Sequence, residues 1–345
     1  MNTRKLSLAM LLAALPLGNA FATTWTVTGT GEPATIDSAA CDGSNNCPTL
    51  RDAINTAHSG DIIRFSSAID GGTILLNQYS NDPTGTEFGP SAFFISGGLS
   101  LTIDGETGLT RGITIARDTS KPAFRLFDID ISGSSPNFIV SGLTLQGLTL
   151  KDGLAQGFSS DGGGGALGAG GAIFNQGNLT VDGCTFAGNA ALGGASGDGS
   201  GTYGGAGVGS VPPAPGSSGG GPNGGIYPTT NVGFGGGGYA YSSGEAGGFG
   251  GGGGEGGTTG GTGGFGGGGG GSANGLAASG GFGGGSGSTT GSPYPRGGGG
   301  AVRGGAIVNE AGTLSIVSST FTGNSAGGGA GGAGEAGGSG FGGAI

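Results

Sequence analysis

The sequence GGAIFNQGNLTVDGCTFAGNA occupies Gly170–Ala190, and a close copy, GGAIVNEAGTLSIVSSTFTGNSA, occupies Gly304–Ala326. Both copies hold Gly-Gly-Ala-Ile, an asparagine, an apolar alternation and Thr-Phe-x-Gly-Asn, and a third copy begins at Gly342. A repeat of this length is one supersecondary unit that stacks on its neighbours, because a single copy cannot bury its own apolar face. The repeat therefore predicts a stacked architecture.

Apolar and polar residues alternate with a period of two inside each copy. Leu179 and Val181 alternate with Thr180 and Asp182, and Leu314 and Ile316 alternate with Ser315 and Val317. This period indicates half-buried strands. We expect three short strand segments in each unit, joined by corners where Gly or Asn turns the chain. The predicted fold is all-β, a right-handed parallel β-helix. An ordinary antiparallel β-domain with Gly-rich turns is the alternative, although it leaves the recurrence unexplained.

Copies that stack in register align their equivalent residues as columns. Asparagines, phenylalanines and the Gly-Ala-Ile corners would then each form a column along the stack. The predicted structural positions are Gly171, Ala172, Ile173, Asn175, Phe186 and Asn189 in one copy, and Gly305, Ala306, Ile307, Asn309, Phe321 and Asn324 in the other.

The tetrapeptide-like motifs of this repeat resemble those of the polymorphic outer membrane protein family, which carries GGA[I/L/V] and FxxN in tandem. The motifs here are Gly171–Ile173 with Phe186–Asn189, and Gly305–Ile307 with Phe321–Asn324. The resemblance covers about a sixth of the chain directly. It implies a pectin-lyase-like β-helix passenger, similar to those of autotransporters, on a bacterial surface.

The segment Cys47–Ile54, CPTLRDAI, resembles the CSLREA motif found near the start of β-helix surface proteins, with Pro48, Thr49 and Asp52 departing from it. Thr49 is a good helix N-cap with Asp52 three residues later, so we expect a short helix that covers the open end of the stack. Arg51, Asp52 and His58 could instead form a site. Polar residues on a short helix are more often a solvated face, which is our interpretation here.

The chain divides into five parts. Residues 1–22 are typical of a secretory signal peptide, with Arg4 and Lys5 before an apolar run and Ala20-Phe21-Ala22 at the expected cleavage site. Residues 23–96 hold the cap and first coils, and residues 97–191 hold further coils, which include Phe138–Leu150. Residues 192–303 are a Gly-rich insertion, and the β-helix resumes over residues 304–345.

The insertion is mostly glycine with spaced aromatic residues, in a chain with 96 Gly and 14 Pro. Ordering it would cost on the order of 100 kcal/mol at ~1 kcal/mol per residue, with little side-chain burial in return. Two structures remain open: a flexible loop thrown out from a corner, which we favour, or packed extended glycine segments aided by the aromatics. Either way, a corner should tolerate the insertion because the strand stack does not depend on it.

The three cysteines have different expected roles. Cys41 and Cys47 bracket a polar loop, and in an exported protein a disulfide between them is the preferred interpretation; free thiols or a metal pair are the alternatives. Cys184 lies on the predicted inward face beside Phe186, where it is expected to be a buried, inert thiol.

The search for catalytic chemistry favours a non-enzyme without cofactors or metal. The insertion holds Asp198, Glu245 and Glu255 as its only carboxylates, too few for a Ca²⁺-binding nonapeptide array. The rival class is a polysaccharide lyase or glycosidase, which needs paired carboxylates. Its candidate residues are Asp128, Asp130, Asp152, Asp161 and Asp182, with Arg125 and Lys151.

We therefore predict an exported structural or adhesin-like passenger, at the cell outer membrane surface or outside the cell. A host-cell, matrix or glycan surface is the expected partner. The net charge of −10 disfavours nucleic acid, and no later apolar run is long enough to span a membrane. The sequence ends mid-repeat at Ile345, so we expect a missing anchor and self-association through the uncapped last coil.

Overall fold

The chain folds as an all-β protein whose sheets are parallel, as the sequence predicted. A computed structural model describes residues 22–80, 89–134, 137–197, 205, 236–237, 243–289 and 296–345. The predicted signal peptide lies outside these residues except for its last residue, Ala22. Within the described part, α1 (Leu50–Thr56) is the one α-helix, and a short 3₁₀ turn spans Ser67–Ile69.

Twenty-four strands are described, most of them three to five residues long. In chain order they are β1 (Thr24–Val27), β2 (Asn46–Cys47), β3 (Ile62–Phe65), β4 (Thr73–Leu76), β5 (Ser91–Ile95), β6 (Ser100–Asp104), β7 (Ile113–Arg117), β8 (Arg125–Ile129), β9 (Ile131–Ser134), β10 (Asn137–Val140), β11 (Gly142–Gln146), β12 (Leu148–Lys151), β13 (Leu154–Gln156), β14 (Gly168–Ala169), β15 (Ile173–Asn175), β16 (Asn178–Asp182), β17 (Thr185–Ala187), β18 (Ala190–Leu192), β19 (Val302–Arg303), β20 (Ile307–Asn309), β21 (Thr313–Val317), β22 (Thr320–Thr322), β23 (Ser325–Gly327) and β24 (Gly340–Phe341).

The strands form five parallel sheets and one antiparallel hairpin. Sheet A has the order β2-β1-β3-β6-β11-β16-β21, sheet B β22-β17-β12-β7-β4, sheet C β20-β15-β8-β5, sheet D β13-β18-β23 and sheet E β14-β19-β24. The chain visits sheets C, A, B and D in the same order in both copies of the repeat. The three predicted segments of the first copy are β15, β16 and β17, and the short strands β14 and β18 that flank them were not predicted.

Equivalent residues of the two copies pair directly across the sheets. Ile173 lies opposite Ile307, Leu179 opposite Leu314, and Phe186 opposite Phe321. The inward column of sheet A continues through all the long strands. Its members are Ile63, Ile103, Leu145, Val181 and Ile316.

The first four members of that column are fully buried. Each such side chain stabilises the fold by about 1.5–3 kcal/mol on burial. The core behind sheet A is therefore built from stacked apolar columns.

Glycines turn the chain at the corners between sheets. Gly170, Gly304 and Gly342 occupy equivalent corners with φ of 64°, 54° and 64°, a region that side chains with a Cβ adopt at a cost. The repeat asparagines were expected to share this role, but they lack positive φ and bond across the stack instead. Gly183, with φ of 61°, is matched in the second copy by Ser318, with φ of 47°.

We expect Ser318→Gly to stabilise the protein by about 0.5–1 kcal/mol. A residue with a Cβ in the left-handed region costs roughly 1–2 kcal/mol, and Ser318→Gly removes this cost. Glycine loses more backbone entropy on folding, which cancels about 0.5–1 kcal/mol of the stabilisation. Urea unfolding of the variant would measure the change. Ser315→Gly, at an exposed position inside β21, is the matched control. It should destabilise the protein, because Ser315 has no positive φ for glycine to relieve. Equal effects of the two substitutions would contradict the strain at Ser318.

One predicted strand segment departs from the stack. Phe138, Ile139 and Val140 were expected to begin a coil, but they lie in β10, which pairs antiparallel with β9. Their side chains are 53%, 51% and 39% exposed. The apolar run was misassigned because a short apolar segment has the same pattern in a projecting hairpin as in a buried strand.

Candidate functional site

The helix α1 is bound to the rest of the protein by charged side chains that we predicted to lie on a solvated face. Thr49 caps the helix as predicted, accepting a hydrogen bond from the Asp52 amide. Arg51 and Asp52 are 3% and 1% exposed, so the expectation of a solvated face is wrong. A one-turn amphipathic pattern missed this because loops from elsewhere in the chain cover the polar side of the helix.

Arg51 and Asp52 bind different parts of the chain. The Arg51 guanidinium lies 2.9 Å from a Glu32 carboxylate oxygen, donates to the Ala92 carbonyl at 2.7 Å, and stacks on the Phe93 ring at 4.7 Å. The Asp52 carboxylate accepts from the Ser38 hydroxyl and the Ala40 amide. His58 is exposed. The structure therefore does not bring Arg51, Asp52 and His58 together as one site.

The two carboxylates respond to this burial differently. Burial raises the pKa of Glu32, and Arg51 opposes that rise only in part. Burial would also raise the pKa of Asp52, but hydrogen bonds from Ser38, Ala40 and Thr49 outweigh it and hold that pKa below its ordinary value. Both groups join α1 to the loop between β1 and β2.

Cysteine placement follows the sequence-based interpretation. Cys41 and Cys47 are joined by a disulfide, with their Cα atoms 4.1 Å apart. Cys184 is a buried free thiol, and burial raises its pKa to about 11. At neutral pH it is almost wholly protonated and therefore a poor nucleophile or metal ligand.

The candidate catalytic carboxylates are spread over different sheets. Asp128 lies in sheet C and forms a buried ion pair with Arg125 at 3.4 Å, whereas Lys151 and Asp152 pair at 3.3 Å on the surface after sheet B. Asp182 ends a strand of sheet A. Among the described residues, no three or more His, Cys, Asp or Glu side chains are grouped so that they could hold a metal ion.

The repeat asparagines connect neighbouring passes of the chain. The Asn175 amide donates to the Asn309 side-chain oxygen at 2.5 Å, and the Asn324 oxygen accepts from both the Asn189 amide and its backbone N–H at 3.0 and 2.9 Å. Phe186 and Phe321 stack with ring centroids 4.8 Å apart. These columns are interior supports and leave the outer faces of the sheets as the surfaces available for binding.

The described part of the Gly-rich insertion is packed, which corrects our preference for a flexible loop. Residues 243–289, together with 162–168 and 296–300, form a layered unit that we call the glycine bundle. Three outer segments, 243–249, 259–265 and 276–282, alternate with middle segments 250–256, 266–272 and 283–288. The first two middle segments contact 162–168, and the third contacts 296–300. These residues are therefore packed extended glycine segments, as in the alternative to the flexible loop.

Hydrogen bonds in the glycine bundle follow a three-residue period. Every third residue of one outer segment donates to the next outer segment, and residues between them face other neighbours. The bonds between the first two outer segments run from Gly244 to Thr259, Gly247 to Thr262 and Gly250 to Phe265. This period indicates extended chains with three residues per turn, which make no hydrogen bonds of their own and must bond to neighbours.

Glycine is required in the bundle because the backbones touch. A Cβ on Gly164 would lie 1.9 Å from the Gly268 carbonyl oxygen, and one on Gly264 would lie 1.6 Å from that of Gly248. Because Gly164 belongs to the main body and Gly268 to the insertion, the two parts form one packed structure. The described residues of the insertion therefore pack against the main body, and the expectation that the strand stack does not depend on the insertion stays a prediction.

Phenylalanines mark the turns at one end of the bundle. Phe249, Phe265 and Phe282 each precede a glycine with positive φ, and their rings stack at 5.2 and 5.4 Å. Phe341 continues the stack at 5.3 Å. Our sequence reasoning missed this unit, although the recurrence of Phe-Gly every 16 to 17 residues over 249–283 could have revealed it.

Comparison of the chain with protein-family models, curated proteins and solved structures gives no match. No helix of the described ranges has the length and apolar character needed to cross a bilayer. The class that the structure itself defines is an all-β protein of stacked parallel sheets.

Proposed function

We propose that the stacked parallel sheets wind into a right-handed parallel β-helix, and that this chain is an exported bacterial surface protein with a structural or adhesive role. The observation that carries the proposal is register. Five strands of sheet A pair residue for residue from β3 to β21, with the same inward column throughout. Regular stacking of this kind suits a rigid display element, because each pass supports the next.

Three further features support export and surface display. The Cys41–Cys47 disulfide fits an oxidising compartment. The GGAI and FxxN motifs that resemble those of the polymorphic outer membrane proteins supply the Ile173 and Asn189 positions of the stack. The amino-terminal sequence is typical of a secretory signal. A host-cell, matrix or glycan surface remains the proposed partner.

Attachment is the direct test of this function. Beads coated with the full mature chain should bind cultured cells or matrix proteins several-fold better than beads coated with the same protein after thermal unfolding, because the display role needs the folded stack. Counting bound beads under flow measures the difference. Equal attachment of both preparations would overturn the proposal and indicate no adhesive role. Release of soluble sugars from polysaccharides incubated with the protein would overturn it in favour of carbohydrate cleavage.

A further inference from the structure

The glycine bundle presents a regular flat face to solvent. Each outer segment has a non-glycine side chain at every third position, so that these side chains lie in rows, and the hydrogen bonds between segments hold equivalent residues side by side. We call these nine residues the outer face. They are Ser243, Ala246, Phe249, Thr259, Thr262, Phe265, Leu276, Ser279 and Phe282.

The grid of the outer face has fixed spacings in two directions. Along a segment, three residues of such an extended chain advance about 9 Å. Across segments, the phenylalanine rings lie 5.2 and 5.4 Å apart. Nine of the twelve residues between the grid positions are glycine, the others being Glu245, Ala277 and Ala278, so few side chains lie between the rows.

The nine residues of the outer face are uncharged, and one cation, the Arg303 guanidinium, lies 5.2 Å from the centre of the Phe265 ring. The outer face combines a hydroxyl-bearing row, containing Thr262 and Ser279, with exposed apolar groups; Leu276 is 74% exposed and Phe282 63% exposed. A protein with net charge −10 has here a surface without carboxylate or cation among its nine residues. One guanidinium is too few to attract nucleic acid or an anionic membrane, both of which require several basic groups.

The phenylalanine row at one end of the grid and Leu276 at the other flank the hydroxyl-bearing row, and exposed apolar groups gathered on one face mark interaction sites in soluble proteins. A partner that fits this face must be uncharged and flat, with hydroxyl groups beside C–H surfaces at a regular repeat. Packed chains of a neutral polysaccharide have all of these properties, since each sugar ring presents hydroxyls at its rim and C–H groups on its faces. Backbone packing also preorganises the grid, so little conformational entropy is lost on binding.

We propose that the outer face of the glycine bundle binds the surface of an ordered neutral polysaccharide. This inference rests on the proposed adhesive function and identifies the surface and the partner class through which it would act. Hydroxyls of the Thr262 row would exchange hydrogen bonds with sugar hydroxyls, while the Phe265 and Phe282 edges and Leu276 would contact the C–H faces.

Sedimentation with insoluble polysaccharide tests the inference on the full mature chain. The probes are microcrystalline cellulose and insoluble β-1,3-glucan, with alginate gel as the charged comparison. The wild type should sediment with at least one neutral probe and remain in the supernatant with alginate. The double variant Thr262→Lys/Ser279→Lys should lose binding about tenfold or more, because it places two solvated charges in the middle of the grid.

Thr320→Lys is the matched control, since it puts the same charge on an exposed residue of β22, outside the bundle. It should bind like the wild type, and thermal melting should show all variants folded. The inference fails if the wild type binds neither neutral probe, or if the double variant binds as well as Thr320→Lys. It also fails if the wild type sediments without any polysaccharide, because that result would indicate contact between copies of the chain. Attachment to cells or matrix proteins without polysaccharide binding would overturn this inference while leaving the proposed function standing.

Discussion

Phe186→Ala is expected to lower the free energy of unfolding by about 4 kcal/mol, because removing a fully buried phenylalanine loses its burial and leaves a cavity. Phe186 is 0% exposed. It lies opposite Leu150 in one neighbouring strand and Phe321 in the other, and its ring stacks on that of Phe321 at 4.8 Å. The cavity would therefore interrupt one apolar column in the middle of the stack, where the paired strands on both sides resist collapse.

Urea unfolding followed by circular dichroism would measure this loss. Thr185→Ala is the control, because Thr185 is the preceding residue of the same strand and faces the other side of sheet B; its effect should stay within about 0.5 kcal/mol. A loss below about 1 kcal/mol for Phe186→Ala would show that the column is not packed as described.

Gly164→Ala should destabilise the protein by about 2–3 kcal/mol, the usual cost of overpacking a dense interior. The new Cβ would lie 1.9 Å from the Gly268 carbonyl oxygen, and a backbone atom cannot move aside as a flexible side chain can. Gly164 also donates its N–H to Gly253 at 2.9 Å. Relief of the clash would therefore require the middle layer of the glycine bundle to separate from the main body.

This variant distinguishes a packed insertion from a free loop. If residues 243–289 did not pack on the main body, Gly164→Ala would be nearly neutral, and that outcome would refute the bundle. Gly31→Ala is the matched control, since no atom lies within 4 Å of its added Cβ and its φ is not positive. Thermal unfolding of both variants, with protease digestion as a second readout for the insertion, would separate the two cases.

Local sequence patterns correctly predicted the strands that pack against equivalent strands of the next repeat. The alternation at Leu179 and Val181 identifies a strand, and the recurrence of the unit identifies which residues will face one another, because identical strands stack best in register. The N-cap at Thr49 is equally local, since it depends on residues three positions apart. These features needed no knowledge of distant contacts.

The misassigned features depend on distant parts of the chain. Arg51 is buried because Glu32, from a loop, and the Ala92 carbonyl, from β5, reach it from distant parts of the chain, and no short pattern records that approach. Phe138 is exposed because the chain leaves the stack in a hairpin at that point. In both cases the hydrophobic pattern describes the segment correctly but does not indicate which other parts of the chain cover it.

Sequence alone therefore identified an all-β chain of stacked repeats, because strand period and repeat length are local properties. Tertiary structure decided the fate of the Gly-rich segment. Glycine carries no side chain to indicate burial, and its cost of ordering favours a loop until neighbouring backbones supply the missing hydrogen bonds. Only the close approach of Gly164 and Gly268 shows that such neighbours exist.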